Sequence, residues 1–305
     1  MPSDIVFSSS EESFDFTAVK LAAIPVSVSK TNKASISPSK NKYAQPSPAP
    51  EEEHTFSSDP AIVQDTLQIK NSPGYTFDTN ALLEKPFPLT NDAPKVLIVH
   101  THTSEAYTPS EEFNYTASDA YRIEDPALNI CRVGQELASV LEKNGVSAIH
   151  NTTSHDYPSY SGCYGRSLQT IEKELSDHPS IQIVIDLHRD AIQGSDGTYL
   201  KTLAKIDGQN TAQALVVIGT DAGGLPHPNW QENLSLGLKL QKKLCTMYPG
   251  LARPLHLRTE RFNGHASPGS LLIEIGSNGN TMEEALACAR LVGNVLSSLI
   301  ADLSS

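Results

Sequence analysis

The stretch "KVLIVHTHTSEAY", Lys95–Tyr107, decides the fold. Val96–Val99 is an apolar run of strand length, rich in β-branched residues and preceded by a proline, which predicts a short strand buried on both faces. The chain then places His100, His102 and Glu105 in quick succession where that strand has to end. Either a polar loop or a metal site begins there.

Three further runs share the texture of the first: "SIQIVIDLH" (180–188), "QALVVIG" (213–219) and "SLLIEIG" (270–276). Between them lie segments with a helical period. In "DPALNICRVGQELASVLEKNG", Asp125 is expected to cap a helix, Pro126 to take its first turn and Gly145 to stop it. Ile130, Val133, Leu137, Val140 and Leu141 supply its apolar stripe. Asn229–Met247 and Thr281–Leu303 follow the same logic, and each stripe needs a sheet to cover. Strands alternating with helices imply βαβ units. The expected fold is therefore α/β, an open, largely parallel sheet with helices on both faces.

The folded domain is expected over residues 93–305, and residues 1–92 are expected to be mostly a disordered linker. From Ser27 to about Pro60 the chain is rich in Ser, Pro and Lys and nearly free of large apolar residues, so it cannot offset its ordering entropy. The segment Phe77–Leu89 has enough apolar residues to dock onto the downstream domain. No apolar run reaches the roughly 18 residues that span a bilayer, and the opening lacks the plan of a signal peptide, so a soluble chain is expected. Lys plus Arg number 23 against 35 Asp plus Glu, a net charge of −12, which speaks against a nucleic-acid partner. The four cysteines include no CxxC pair, so a cysteine zinc cluster is not expected.

In open α/β sheets functional groups gather beyond the carboxyl ends of the strands. His100 and His102 follow the first strand, and His188 ends "VIDLH". The spacing H-x-x-E lets His102 and Glu105 converge on one ion. With His188 as third ligand, zinc would keep a fourth position open, as a catalytic zinc does. His100 is a candidate second-layer partner or alternative ligand. Glu274 is a carboxylate inside an apolar strand, costly there unless it faces a cation or a solvated cleft, and well placed to act as a general base. Arg189 could clamp a substrate carboxylate or pair with Asp190 or Asp186. Asp190, Asn263 and His265 are further candidates for lining the cleft. Serine-hydrolase elbows, phosphate loops and dinucleotide fingerprints are absent from the sequence.

The same residues resemble the stage II sporulation protein P family, cell-wall hydrolases of endospore-forming bacteria. The similar blocks are "KVLIVHTHTSEAY", "VIDLHRDAI", "HPNWQENLSLGLKLQKKLCTMYPGL" and "RFNGHASPGSLLIEIGSNGNTMEEA", spanning about Lys95 to Leu303. The resemblance implies a zinc N-acetylmuramoyl-L-alanine amidase fold related to zinc carboxypeptidases, with His102, Glu105 and His188 on zinc and Glu274 as base. It also implies an endopeptidase activity on peptide cross-links, action on peptidoglycan at the septum outside the membrane, and a membrane-anchored parent. The partners implied are a membrane scaffold and the lytic transglycosylase stage II sporulation protein D. Amidases of the wider group place their glutamate ligand near the start of the first helix, which makes Glu124 and Asp125 the alternative ligands. A zinc carboxypeptidase and a non-catalytic wall-binding module are the competing expectations.

Overall fold

In the computed structural model the described residues are 62–64, 67–118 and 120–304. Along the chain they form β1 (Ile62–Gln64), β2 (Leu67–Asn71), α1 (Thr79–Glu84), β3 (Val96–Val99), α2 (Ile130–Lys143), β4 (Ala148–His150), α3 (Cys163–Asp177) and β5 (Ile183–Asp190). A hairpin of β6 (Leu203–Ile206) and β7 (Gln209–Ala212) follows, then β8 (Ala214–Ile218), α4 (Trp230–Met247), β9 (Leu255–Leu257), a 3₁₀ turn (Gly264–Ala266), β10 (Ser270–Ser277) and α5 (Met282–Leu303). Eight strands make one sheet in the order β1-β2-β9-β8-β10-β5-β3-β4. The β1/β2 and β8/β10 pairs are antiparallel and the other neighbours parallel, so the expected α/β architecture is what the chain adopts.

Strand alternation sorts the core into two layers. Ile98, Ile185, Leu187, Val216, Ile218, Ile273 and Ile275 belong to the large cluster they share with α2, α4 and α5. Leu97, Val99 and Val184 pack with Ile171 of α3, and Leu215, Val217 and Leu272 with Phe262. This second layer is thinner, and its central strands also carry Asp186, His188 and Glu274. Helix α5 begins with a capping box between Thr281 and Glu284. By length and composition it could cross a membrane, but more than half of it is buried, against α2, β7 and α4 among others.

Two expectations need correction. The domain does not begin at residue 93: Leu67–Asn71 pairs in parallel with β9, adding a strand to the sheet. The Phe77–Leu89 segment carries α1, capped by the Asp78 side chain, and Phe77, Leu83, Phe87 and Leu89 pack on the main core. The linker expectation for residues 1–61 lies outside the described residues. Helix α2 starts at Ile130, capped by Asn129, and not at Asp125. The preceding backbone is already engaged: Ile123 N donates to Ser104 O at 2.9 Å, Ala106 N to Tyr121 O at 2.8 Å, and Ile130 N to Glu105 O at 2.7 Å. Chain pinned in this strand-like way cannot also turn into a helix.

Candidate metal centre

Strands β3, β5 and β10 are adjacent and parallel, so their carboxyl ends open on one side of the sheet. Val99 stands opposite Asp186, and Glu274 opposite His188. Past the end of β3 the chain turns, and His102 and Glu105 swing over β5. Ligand atoms of His102, Glu105 and His188 lie within 4.8 Å of one another. One imidazole comes from a strand, and a second imidazole and a carboxylate come from a single turn.

Electrostatics bind the three together. His188 Nδ1 is 3.4 Å from Glu105 Oε2, and its Nε2 is 2.9 Å from Asp186 Oδ1. The second approach is too oblique for a hydrogen bond, so Nε2 is buried without one. Burial opposes charge on His188, but Asp186 and Glu105 outweigh it and raise its pKa well above the ordinary imidazole value. Burial likewise pushes Glu105 up, yet His188 and then Arg189 bring its pKa below the usual carboxylate range. His102, 9% exposed, is lowered to about 4 by burial, with His188 and Arg122 adding to the shift and Glu105 opposing it. A buried imidazole flanked by two carboxylates marks a place that favours positive charge. Two imidazoles and a carboxylate are also a donor set that suits zinc, and its binding would release the proton.

Asp186 is the residue that sequence reasoning undervalued. Its Oδ1 accepts from Thr101 N at 2.8 Å and its Oδ2 from Thr101 Oγ1 at 2.6 Å, which fixes the carboxylate beside His188. The available signal was D-x-H within one strand, since residues two apart share a face. Such outer carboxylates orient a ligand imidazole. Asp186→Asn is expected to weaken zinc binding about 10–100-fold with the fold retained, measured by competition with a chromogenic chelator.

Glu274 projects beside His188 from the next strand. It is half-buried, and its Oε2 has no hydrogen-bond partner among the described residues. Burial, reinforced by Asp190, pushes its pKa up to about 8. Strand β10 lies between β8 and β5, so Glu274 does not sit on an edge strand facing solvent. Asp190 is at the rim, its Oδ2 accepting from Arg253 Nη1 at 2.7 Å.

Other candidates are placed elsewhere. His100 points to the opposite face: its Nδ1 meets Leu187 O and its Nε2 meets His150 Nε2, both at 2.9 Å. Burial and the charge of His150 lower its pKa to about 3. A Cβ on Gly134 would come within 2.5 Å of His150 and 2.7 Å of His100, so α2 seals this pair away from the centre. Glu124 and Asp125 are exposed, and Asp125 Oδ1 accepts from Ala127 N, which removes both as ligands. Arg189 is 4% exposed and cannot serve as a clamp. Its Nε donates to Ala106 O at 2.8 Å and its Nη2 to Ala120 O at 2.7 Å, so it braces the loop carrying Glu105. Asn263 ties its loop to α3 by donating to Tyr164 O and Ser167 Oγ. His265 is near His227, with ring centroids 6.4 Å apart, and is not among the groups that converge at the centre.

Sequence reasoning also missed a rim from the 156–164 region. The Tyr160 ring lies parallel to that of His102, 4.8 Å between centroids, with its hydroxyl 3.2 Å from His102 Nε2. Tyr164 meets His102 edge-on, and Cys163 Sγ is 3.6 Å from His102 Nδ1.

Comparison with known proteins finds relatives of this chain. The Stage II sporulation protein P of Bacillus subtilis (strain 168) is 27% identical over 238 residues, 74% of this chain and 56% of that protein. The chain thus spans little more than half the length of this relative. Among solved structures, N-acetylmuramoyl-L-alanine amidase AmiC2 of Nostoc punctiforme aligns with 11% identity and a TM-score of 0.39, over 70% of this chain and 98% of that one. The CwlD amidase from Clostridioides difficile, solved in complex with the GerS lipoprotein, aligns with 12% identity and a TM-score of 0.42, over 68% and 98%. The family model for Stage II sporulation protein P matches residues 6–297, so the relationship starts well before Lys95. With that match running over nearly the whole sequence, the chain belongs to the stage II sporulation protein P family.

Proposed function

We propose that this chain is a zinc-dependent peptidoglycan hydrolase that cleaves the amide between N-acetylmuramic acid and L-alanine. The observation that carries the reading is the convergence of His102, Glu105 and His188 within 4.8 Å, with Glu274 in register beside His188. The substrate class rests on the family. His102, Glu105 and His188 would hold the zinc ion, which would supply Lewis-acid polarisation of the scissile carbonyl. Glu274 is placed to take a proton from the attacking water and to deliver it to the departing amide nitrogen, so that one carboxylate serves both halves of the reaction. Asp186 holds His188 in place, and Arg189 holds the loop of Glu105. The wall is the substrate, so the site of action on this reading is the septum outside the membrane. The proposed partners are a membrane scaffold and the transglycosylase stage II sporulation protein D.

The test is digestion of purified sacculi by the chain, with and without zinc, and mass spectrometry of the released fragments. Zinc-dependent release of peptides starting at a free L-alanine amino group is the expected result. New D-amino acid termini would reassign the site to cross-link cleavage. Binding to sacculi without zinc-dependent release, with the transglycosylase also present, would overturn the hydrolase reading in favour of a wall-binding module.

A further inference from the structure

The centre is surrounded by buried or half-buried acids: Glu105, Asp156, Asp186, Asp190 and Glu274. Apart from the metal, a peptide carrying its own carboxylate would need a further cation to meet it there. Arg189 is committed to backbone carbonyls and Arg253 to Asp190. Arg122 is differently placed. Its Nη1 donates to Asp156 Oδ2 at 2.8 Å and to Ser104 Oγ at 3.2 Å, and the Asp156 side chain is fully buried. Its Nη2 lies 3.8 Å from Glu105 Oε1, and its side chain keeps 27% exposure. Its Cζ sits 4.9 Å from the centre of the Tyr160 ring, which itself lies over His102.

The guanidinium is thus fixed through one nitrogen and steadied by an aromatic face, with Nε and Nη2 making no hydrogen bond within the described residues. An arginine so anchored, with Nε unbonded among the described residues and Nη2 engaged only in a long ion pair with Glu105, keeps donors for a planar anion. Tyr160, 53% exposed, extends the same rim and adds apolar surface beside the guanidinium.

We propose that Arg122 and Tyr160 form a subsite for a free carboxylate of the peptide close to the scissile amide, making the enzyme selective for acidic over amidated peptide stems. The inference rests on the hydrolase reading for the reaction, though not for the binding of the acid. Nothing in the sequence alone singles out Arg122; the structure does so through the isolated antiparallel β-bridge that pairs its backbone with Glu105.

Two synthetic muramyl peptides, identical except that this carboxylate is free in one and amidated in the other, test the idea. The zinc-loaded full chain is compared with Arg122→Gln and Arg122→Lys, and zinc content is measured in each. Wild type is expected to favour the acid. Arg122→Gln should lose about 10–100-fold in kcat/KM on the acid, mainly through KM, and bring the acid-to-amide ratio close to unity, while Arg122→Lys keeps part of the preference. Equal losses on both peptides, or a loss explained by zinc depletion, would make Arg122 a support for Glu105 and overturn the proposal. If wild type cleaves neither peptide, the reaction assignment fails and calorimetry decides the subsite. Tighter binding of the acid that disappears in Arg122→Gln sustains it, and equal binding of both peptides sinks it.

Discussion

Glu274→Gln is expected to lower turnover about 10²–10⁴-fold while leaving bound zinc in place. Glutamine keeps the shape of the carboxyl group and removes only its capacity to accept and return a proton. Structural damage should be slight for a specific reason. Burial pushes the pKa of Glu274 to about 8 in the metal-free protein, so near neutrality the fold already accommodates an uncharged group there. The measurements are fragment release from sacculi, zinc content and a thermal melt, taken on one preparation. Unimpaired release would remove Glu274 from the reaction, and loss of zinc together with the fold would make it a structural residue.

His188→Ala should have the larger effect on the molecule as a whole. It removes one of three converging ligands, so zinc content is expected to collapse. It also leaves the Glu105 and Asp186 carboxylates buried without the cation between them. Breaking a buried pair in this way costs about 3–5 kcal/mol, a large share of a domain's stability. Chemical denaturation of the metal-free proteins isolates that cost from the loss of metal. His188→Gln, which keeps a polar side chain, separates ligand loss from packing. Full zinc occupancy in either variant would exclude His188 from the centre.

Much of this was legible in the sequence because the central strands are apolar on both faces. Val96–Val99, Ile183–Asp190, Ala214–Ile218 and Ser270–Ser277 announce themselves by composition. Helix α3 was missed, and its buried positions show why. Cys163, Ser167 and Ile171 recur at helical spacing, but only one of them is a large apolar residue. Ser167 is buried because its hydroxyl meets Thr101 Oγ1 at 2.7 Å and the Asn263 amide at 2.8 Å, a contact between distant segments that hydropathy does not register. Strands β4 and β9 are three residues long, too short to show a period. The converging residues were legible as strand-end chemistry, whereas the fate of Arg189 was not. A sequence does not reveal whether a guanidinium faces solvent or the carbonyls of a folded-back loop.

The order of strands in the sheet has a consequence for the timing of assembly. β10 is among the last elements in the chain, yet it lies between β8 and β5, both of which precede it. Until Ser270–Ser277 inserts, the two halves of the sheet share no hydrogen-bonded boundary among the described strands, and Glu274 is absent from the crevice. Closing such long-range pairings is slow compared with local helix formation. On the proposed function, a chain in which β10 has not joined the sheet would therefore lack the carboxylate assigned to proton transfer. The sheet is a late lock: on the proposed function, the site is complete only once the last strand, β10, has joined it.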